Sequence, residues 1–208
     1  MVVSGNPIIV IATRNPGKVR EFGSLLSSSR MILLGLKDIG LDWEFDETGS
    51  SFSENARLKA LAYSQHTDYP VLADDSGLEV FALGGRPGIY SARYAGHGAT
   101  DAERIQKLLG ELSGQEGDRS ARFVCALALA RRGELLIEAE GECRGEIAHS
   151  PSGTNGFGYD PVFFFPELGR TYAELSAEEK NRVSHRAQAV AALRGQMSHS
   201  GRWQSLSG

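Results

Sequence analysis

Phe123 to Ala130 is apolar from end to end, with no alternation of polar and apolar side chains. Such a strand belongs at the centre of a sheet, buried on both faces, rather than on a half-wetted edge. It runs into Arg131-Arg132-Gly133, and Glu134 to Ala139 follows, so the segment predicts a central hairpin. Helical signals surround it. Ile8 to Ala12 reads as a short strand, and Val19, Phe22, Leu25 and Leu26 then repeat at helical spacing, with Asn15 as N-cap and Pro16 at the first helical position. Capping-box spacing recurs at Ser51/Glu54, Thr100/Glu103 and Ser176/Glu179. Ile105, Leu108, Leu109 and Leu112 form one apolar helical stripe that stops near Gly114. Strands mixed with helices around a hairpin make the fold class α/β with a mixed sheet.

At 208 residues the chain is expected to form one domain, and nothing in it reads as a repeat or a dividing linker. Residues 1–196 are assigned to that domain and 197–208, rich in serine, to a frayed tail. Glycine is in excess, 25 residues, which implies many turns or close backbone approaches. The net charge of −4 argues against a duplex-binding face, so no nucleic-acid partner is expected. No stretch is long and apolar enough to span a membrane, and no secretory signal is recognised. Cys125 and Cys143 lack the spacing of a zinc or redox motif and read as ordinary cysteines of a reducing cytoplasm.

Four segments carry groups suited to chemistry. Thr13-Arg14-Asn15-Pro16-Gly17-Lys18 joins a helix N-terminus to a glycine and two cations, which suits a phosphate; an ordinary capped loop fits the same residues. It is not a Walker A motif, since no Ser or Thr follows Lys18. Asp42, Glu44, Asp46 and Glu47 precede a turn at Gly49, and Asp74-Asp75 closes a short strand that begins at Pro70. Adjacent strand residues face opposite ways, so one aspartate is expected to face a pocket and the other to stabilise the turn. Carboxylates from these two segments could hold Mg²⁺, which takes one or two protein carboxylates together with phosphate oxygens and water. A solvated acidic surface is the plainer reading.

Gly153 to Asp160 sets glycines beside Phe157 and Tyr159, either of which could stack on a base; a turn rich in aromatics is the alternative. Lys180, His185 and Arg186 cannot converge from one continuous helix at 100° per residue. If they share a site, the helix breaks near Val183 and Ser184 caps a second one from Arg186 to Leu193. His185 alone also fits a packing role.

In this order the segments resemble the inosine/xanthosine triphosphate pyrophosphatase family. The resemblance runs from about Ile8 to Leu193. It rests on Ala12 to Lys18, Glu47-Thr48-Gly49, Phe52 with Glu54-Asn55-Ala56, and Leu58-Lys59-Ala60. It continues through Ala73 to Leu78, Pro87 to Tyr94, Gly156 to Pro161, Glu178 to Lys180 and Ser184-His185-Arg186. It implies an elongated mixed sheet flanked by helices, with two lobes around a central nucleotide-binding cleft. The implied reaction is Mg²⁺-dependent hydrolysis of ITP, dITP and XTP to monophosphate and pyrophosphate by a cytoplasmic homodimer. It further implies Asp75 as the catalytic residue, with Glu47 and Asp75 as metal ligands. Thr13, Arg14, Asn15, Pro16, Gly17, Lys18, Lys59, Ser76, Phe157, Gly158, Tyr159, Asp160, Lys180, His185 and Arg186 become nucleotide contacts. Arg14 stands where many members carry glycine. Exposed aromatics near Tyr90 and Tyr94 are candidates for the dimer interface.

Two other readings stay open: a related pyrophosphatase for other modified nucleotides, and a regulator that binds nucleotides without hydrolysing them. The base-contacting segments disfavour the first, and the retention of Glu47, Lys59 and Asp75 together disfavours the second.

Overall fold

The computed structural model of the chain describes residues 6–27, 31–114 and 117–199. Its strands are β1 (Ile8–Ala12), β2 (Ile32–Gly35), β3 (Val71–Val80), β4 (Ser120–Arg131), β5 (Glu134–Ile147), β6 (Phe163–Phe165) and β7 (Arg170–Thr171). They form one sheet in the order β2-β1-β3-β4-β5-β6-β7. Its helices are α1 (Pro16–Leu26), α2 (Phe52–Ser64), α3 (Asp101–Leu112), α4 (Ala177–Val183) and α5 (His185–His199). β1 lies parallel to β2 and β3, whereas β6 is antiparallel to β5 and β7, so the sheet is mixed as expected.

β4 is the middle strand of the seven. Cys125, Leu127 and Leu129 join a hydrophobic cluster on one side, and the intervening Ala126, Ala128 and Ala130 are buried as well, which explains the missing alternation. Truncating Leu127 to alanine there would cost about 2–5 kcal/mol. The hairpin turns on Arg132 (φ 52°) and Gly133 (φ 78°), and positive φ at both central residues matches the twist of the two strands.

The chain divides into two compact units. Unit 1 comprises residues 1–75, 125–141 and 186–208; unit 2 comprises 76–124 and 142–185. The core of unit 1 includes Ile9, Ile11, Phe22, Leu26, Leu72, Leu127, Val190 and Leu193. That of unit 2 includes Leu78, Val80, Ile105, Leu108, Leu112, Phe123, Phe163 and Tyr172.

Three expectations need correction. The strand expected from Pro70 to Ala73 starts at Val71 and runs ten residues to Val80, so Asp74 and Asp75 stand inside β3 rather than at its end. Both are buried, because a strand covered on both faces has no solvent side to offer either of them. Helix α5 continues to His199, beyond the expected start of the tail; residues 200–208 lie outside the described residues. Tyr94 is buried rather than exposed, its hydroxyl donating to Glu111 Oε2 at 2.7 Å, while Tyr90 remains exposed.

Candidate active site

Unit 1 gathers its charged side chains around β3. Asn15 caps α1 as read from the sequence, its Oδ1 accepting from Gly17 N at 2.8 Å and Lys18 N at 3.3 Å. Pro16 has no N–H, so the first donors of this helix are already engaged, and the side chain of Lys18 is what the loop contributes as a cation. Lys18 Nζ reaches Asp74 Oδ2 at 3.0 Å. Thr13 Oγ1 accepts from Asn15 N at 3.2 Å, and Arg14 is exposed.

The two aspartates diverge as neighbours on a strand must. Asp74 meets Lys18 from α1 and Arg186 from α5, whose Nε lies 3.8 Å from Asp74 Oδ2. Burial opposes ionisation of Asp74, yet Lys18, Arg186 and Lys59 hold its carboxyl below the usual range. Asp75 meets α2 instead, accepting at Oδ2 from Asn55 Nδ2 at 2.9 Å. Its carboxyl is pushed up to about 6, first by burial and then by the nearby charge of Glu47.

Glu47 sits on an irregular segment and forms an ion pair with Lys59, whose ammonium also donates to the Asp74 carbonyl at 3.0 Å. Burial acts to lower the Lys59 pKa, but Glu47 and then Asp74 raise it above the usual range, so the lysine stays charged. Arg186 is bonded to Glu21 and lies over Phe22, 5.9 Å from the ring centre. Burial works against its charge; Glu21 and Asp74 outweigh it and raise its pKa. Cys125 is a free thiol, pushed up to about 12 by burial and by Asp74, and is inert as a nucleophile at neutral pH.

Counted together, Glu21, Glu47, Asp74 and Asp75 exceed Lys18, Lys59 and Arg186 by one negative charge. Among the described residues no group of three or more His, Cys, Asp or Glu side chains is set to hold a metal. Two hard carboxylates without nitrogen or sulfur donors suit a cation that keeps most of its shell as water and phosphate oxygens, which is the habit of Mg²⁺.

Unit 2 holds the aromatic segment. Gly156 has φ 77°, and a Cβ there would fall 2.0 Å from Asp160 Oδ2, so glycine lets that carboxylate fold over the turn and accept from Phe157 N at 2.8 Å. Asp160 also pairs with Lys180, whose ammonium stands 5.1 Å from the Phe157 ring centre. Tyr159 is buried and donates to the Ser91 carbonyl at 3.0 Å, whereas Phe157 is half-buried; of the two rings, Phe157 is the one open to stacking. The Gly158 N–H donates to Asp101 Oδ2 at 2.7 Å.

The helix break read from the sequence is present, with Ser184 between α4 and α5. The division between units falls between His185 and Arg186, and also between Asp75 and Ser76. His185 therefore belongs to unit 2, stacked on Phe123 at 4.7 Å with 13° between planes, and Arg186 to the charged cluster of unit 1.

The structure thus groups Lys18, Glu47, Lys59, Asp75 and Arg186 in one unit, and Ser76, Phe157–Asp160, Lys180 and His185 in the other. Sequence reasoning missed Glu21 and Asn55 as participants. Glu21 follows Lys18 by three, one helical turn on the same face of α1. Asn55 and Lys59 interrupt the buried stripe Phe52, Ala56, Ala60 and Tyr63 of α2, and polar residues in a buried stripe were the available signal.

The Ham1 family profile matches residues 9–196. A protein of Geobacillus kaustophilus named dITP/XTP pyrophosphatase is 54% identical over 186 residues, 89% of this chain and 91% of its own. One of the same name from Bacillus subtilis is 49% identical over 185 residues, covering 88% and 93%. The solved structure of a HAM1 protein from Coxiella burnetii aligns with a TM-score of 0.84 at 44% identity, over 93% of this chain and 99% of that one.

Proposed function

The chain belongs to the Ham1 family, and from that premise we propose that it clears deaminated purine nucleotides by hydrolysing dITP, ITP and XTP to the monophosphate and pyrophosphate. It is a hydrolase of purine nucleoside triphosphates with altered bases. The observation that carries the reading is the grouping in unit 1 of the buried Asp75, bonded to Asn55, with the ion pairs of Glu47 with Lys59 and of Asp74 with Lys18. A regulator that only binds nucleotides has no need of a buried carboxylate whose pKa is raised by burial and by a second carboxylate.

In this proposal water attacks the α-phosphorus and the bond to the bridging oxygen breaks, with the electron pair leaving on pyrophosphate and the proton of the water released to solvent. Glu47 and Asp75 are the proposed ligands of Mg²⁺, which when bound screens the triphosphate and the charge that develops on the leaving group. Asp75 orients the attacking water. Lys18 and Lys59 supply fixed positive charge to the phosphates, with no reorganisation needed at the moment of reaction. Thr13 to Gly17 line the phosphate loop, and Ser76 is a further contact.

Phe157, Gly158, Tyr159, Asp160, Lys180 and His185 are the proposed base-recognition set. Hypoxanthine and xanthine carry a 6-oxo acceptor where adenine carries an amino donor. Lys180, aimed by Asp160 beside the Phe157 ring, is the donor best suited to that oxygen. Facing adenine it would meet a donor and lose its bond, a cost of about 1–3 kcal/mol. Arg186 is held by Glu21 within the ionic cluster of unit 1.

We further place the enzyme in the cytoplasm as a homodimer. The free thiols of Cys125 and Cys143 support the compartment, and the exposed Phe81 and Tyr90 support an interface. Among the described residues no helix is long and apolar enough to cross a membrane. Pyrophosphate release should be fast from ITP, dITP and XTP, slow from ATP, GTP and dTTP, and abolished by EDTA. Equal rates on all six would break the purine assignment, and substrate binding without release would break the catalytic one.

A further inference from the structure

Residues 41–49 form neither helix nor strand, yet they carry Glu47. This segment is fastened to a single face of α2 at spacing i, i+4, i+8. Tyr63 stacks on Trp43 at 4.3 Å and donates to its carbonyl at 3.0 Å. Lys59 pairs with Glu47. Asn55 accepts from Gly49 N at 2.7 Å, and Glu54 adds bonds from Ser50 N and Oγ at 2.7 and 2.8 Å.

Of these anchors Asn55 is distinct, because its amide works in both directions. Oδ1 takes the Gly49 N–H, two residues after Glu47, while Nδ2 donates to Asp75 Oδ2 at 2.9 Å. The reverse amide orientation would set N–H against N–H and oxygen against carboxylate, so only one orientation satisfies both neighbours. The side chain is fully buried. Gly49 is matched to it: a Cβ at that position would lie 2.6 Å from Asn55 Oδ1 and 3.0 Å from Asn55 N and Glu54 Cγ.

We propose that Asn55 is a positioning residue of the hydrolysis, a single amide that sets the spacing of Glu47 and Asp75 by holding the turn after one and the carboxylate of the other. The inference rests on the assignment of those two residues as metal ligands made above. Asn55 touches no substrate; it fixes the distance across which two ligands must converge, as groups one step behind metal ligands commonly do.

The probe is Mn²⁺ alone, followed by its electron paramagnetic resonance spectrum in the full-length protein. Asn55→Ala should weaken Mn²⁺ binding about 10- to 100-fold and raise the metal concentration for half-maximal turnover equally. KM for ITP at saturating metal should stay within about threefold, since the phosphate cations are untouched. Loss of a purely structural residue would lower the melting temperature and leave the Mn²⁺ affinity of folded protein unchanged.

Should Asn55→Ala not fold, Gly49→Ala tests the same link from the side of the turn. Its Cβ must push the turn from Asn55, so Mn²⁺ binding should weaken by a similar order. Wild-type Mn²⁺ affinity in folded Asn55→Ala, or in Gly49→Ala, overturns the inference alone. A wild-type protein that binds no Mn²⁺ and releases no pyrophosphate overturns the assignment of Glu47 and Asp75, and the inference with it.

Discussion

The two units hold their functional residues by different physics. In unit 1 the cluster is ionic: Lys18 with Asp74, Lys59 with Glu47, and Arg186 with Glu21, with Lys59, Asp74 and Arg186 buried. In unit 2 one ion pair, Lys180 with Asp160, stands among Phe157, Tyr172, Phe163, Phe123 and the flat ring of His185. A buried charge cluster is costly to assemble, and its excess of negative charge has value only if something positive arrives to relieve it. An aromatic cluster is stable in itself and selects by shape and by a few donors. Under the proposed function the contrast gives chemistry to the first and choice of substrate to the second, so substitutions in the two should fail differently.

The largest effect belongs to Asp75→Asn. The amide keeps the acceptor for Asn55 Nδ2 and loses the charge, so turnover should fall about 10³-fold, about 4 kcal/mol of barrier, while ITP still binds. Stopped-time pyrophosphate assays beside equilibrium binding check it. Near-normal turnover would remove unit 1 from the chemistry.

Next is the double variant Lys180→Met with Asp160→Asn, which avoids leaving a buried carboxylate unpaired and keeps an acceptor for the Phe157 N–H. The preference for ITP over ATP, as a ratio of kcat/KM, should fall about 30-fold, about 2 kcal/mol. Turnover at saturating ITP should change far less. A fall in kcat with the preference intact would erase the division of labour.

How much of this was legible from the chain depended on whether the signal was local. The Asn15 cap, the break at Ser184, the hairpin at Arg132-Gly133 and the central β4 follow from turn chemistry and periodicity over a few residues. The length of β3 was not legible: Asp74-Asp75-Ser76-Gly77 has the composition of a turn, and the cations of α1, α2 and α5 that let two aspartates lie inside a strand come from remote positions. For the same reason the sequence assigns one of the two aspartates to a turn, although Lys18 and Arg186 make Asp74 a buried partner of both. The segments of the site could be listed from sequence, but their sorting into an ionic and an aromatic group could not, since it turns on boundaries falling between adjacent residues.

The smallest predicted effect is the one that separates the two clusters most directly, because it needs no substrate. The Asp75 carboxyl has its folded pKa raised from 3.8 to about 6, chiefly by burial and Glu47. A raised pKa means the folded state prefers the neutral form. The associated stability is fully present below pH 3.8, erodes as the unfolded chain ionises first, and is gone once the pH passes about 6. Asp75→Asn cannot ionise and escapes that loss. In EDTA, its stability relative to wild type should therefore grow from pH 5 to pH 8 by about 1–2 kcal/mol, read from urea unfolding. The unit 2 double variant retains Asp75, shares its loss with wild type and should show no such growth. If the Asp75→Asn difference is flat across that window, Asp75 is not held against its charge. If both variants drift together, the ionic character claimed for unit 1 is a property of the whole chain and not of its cluster.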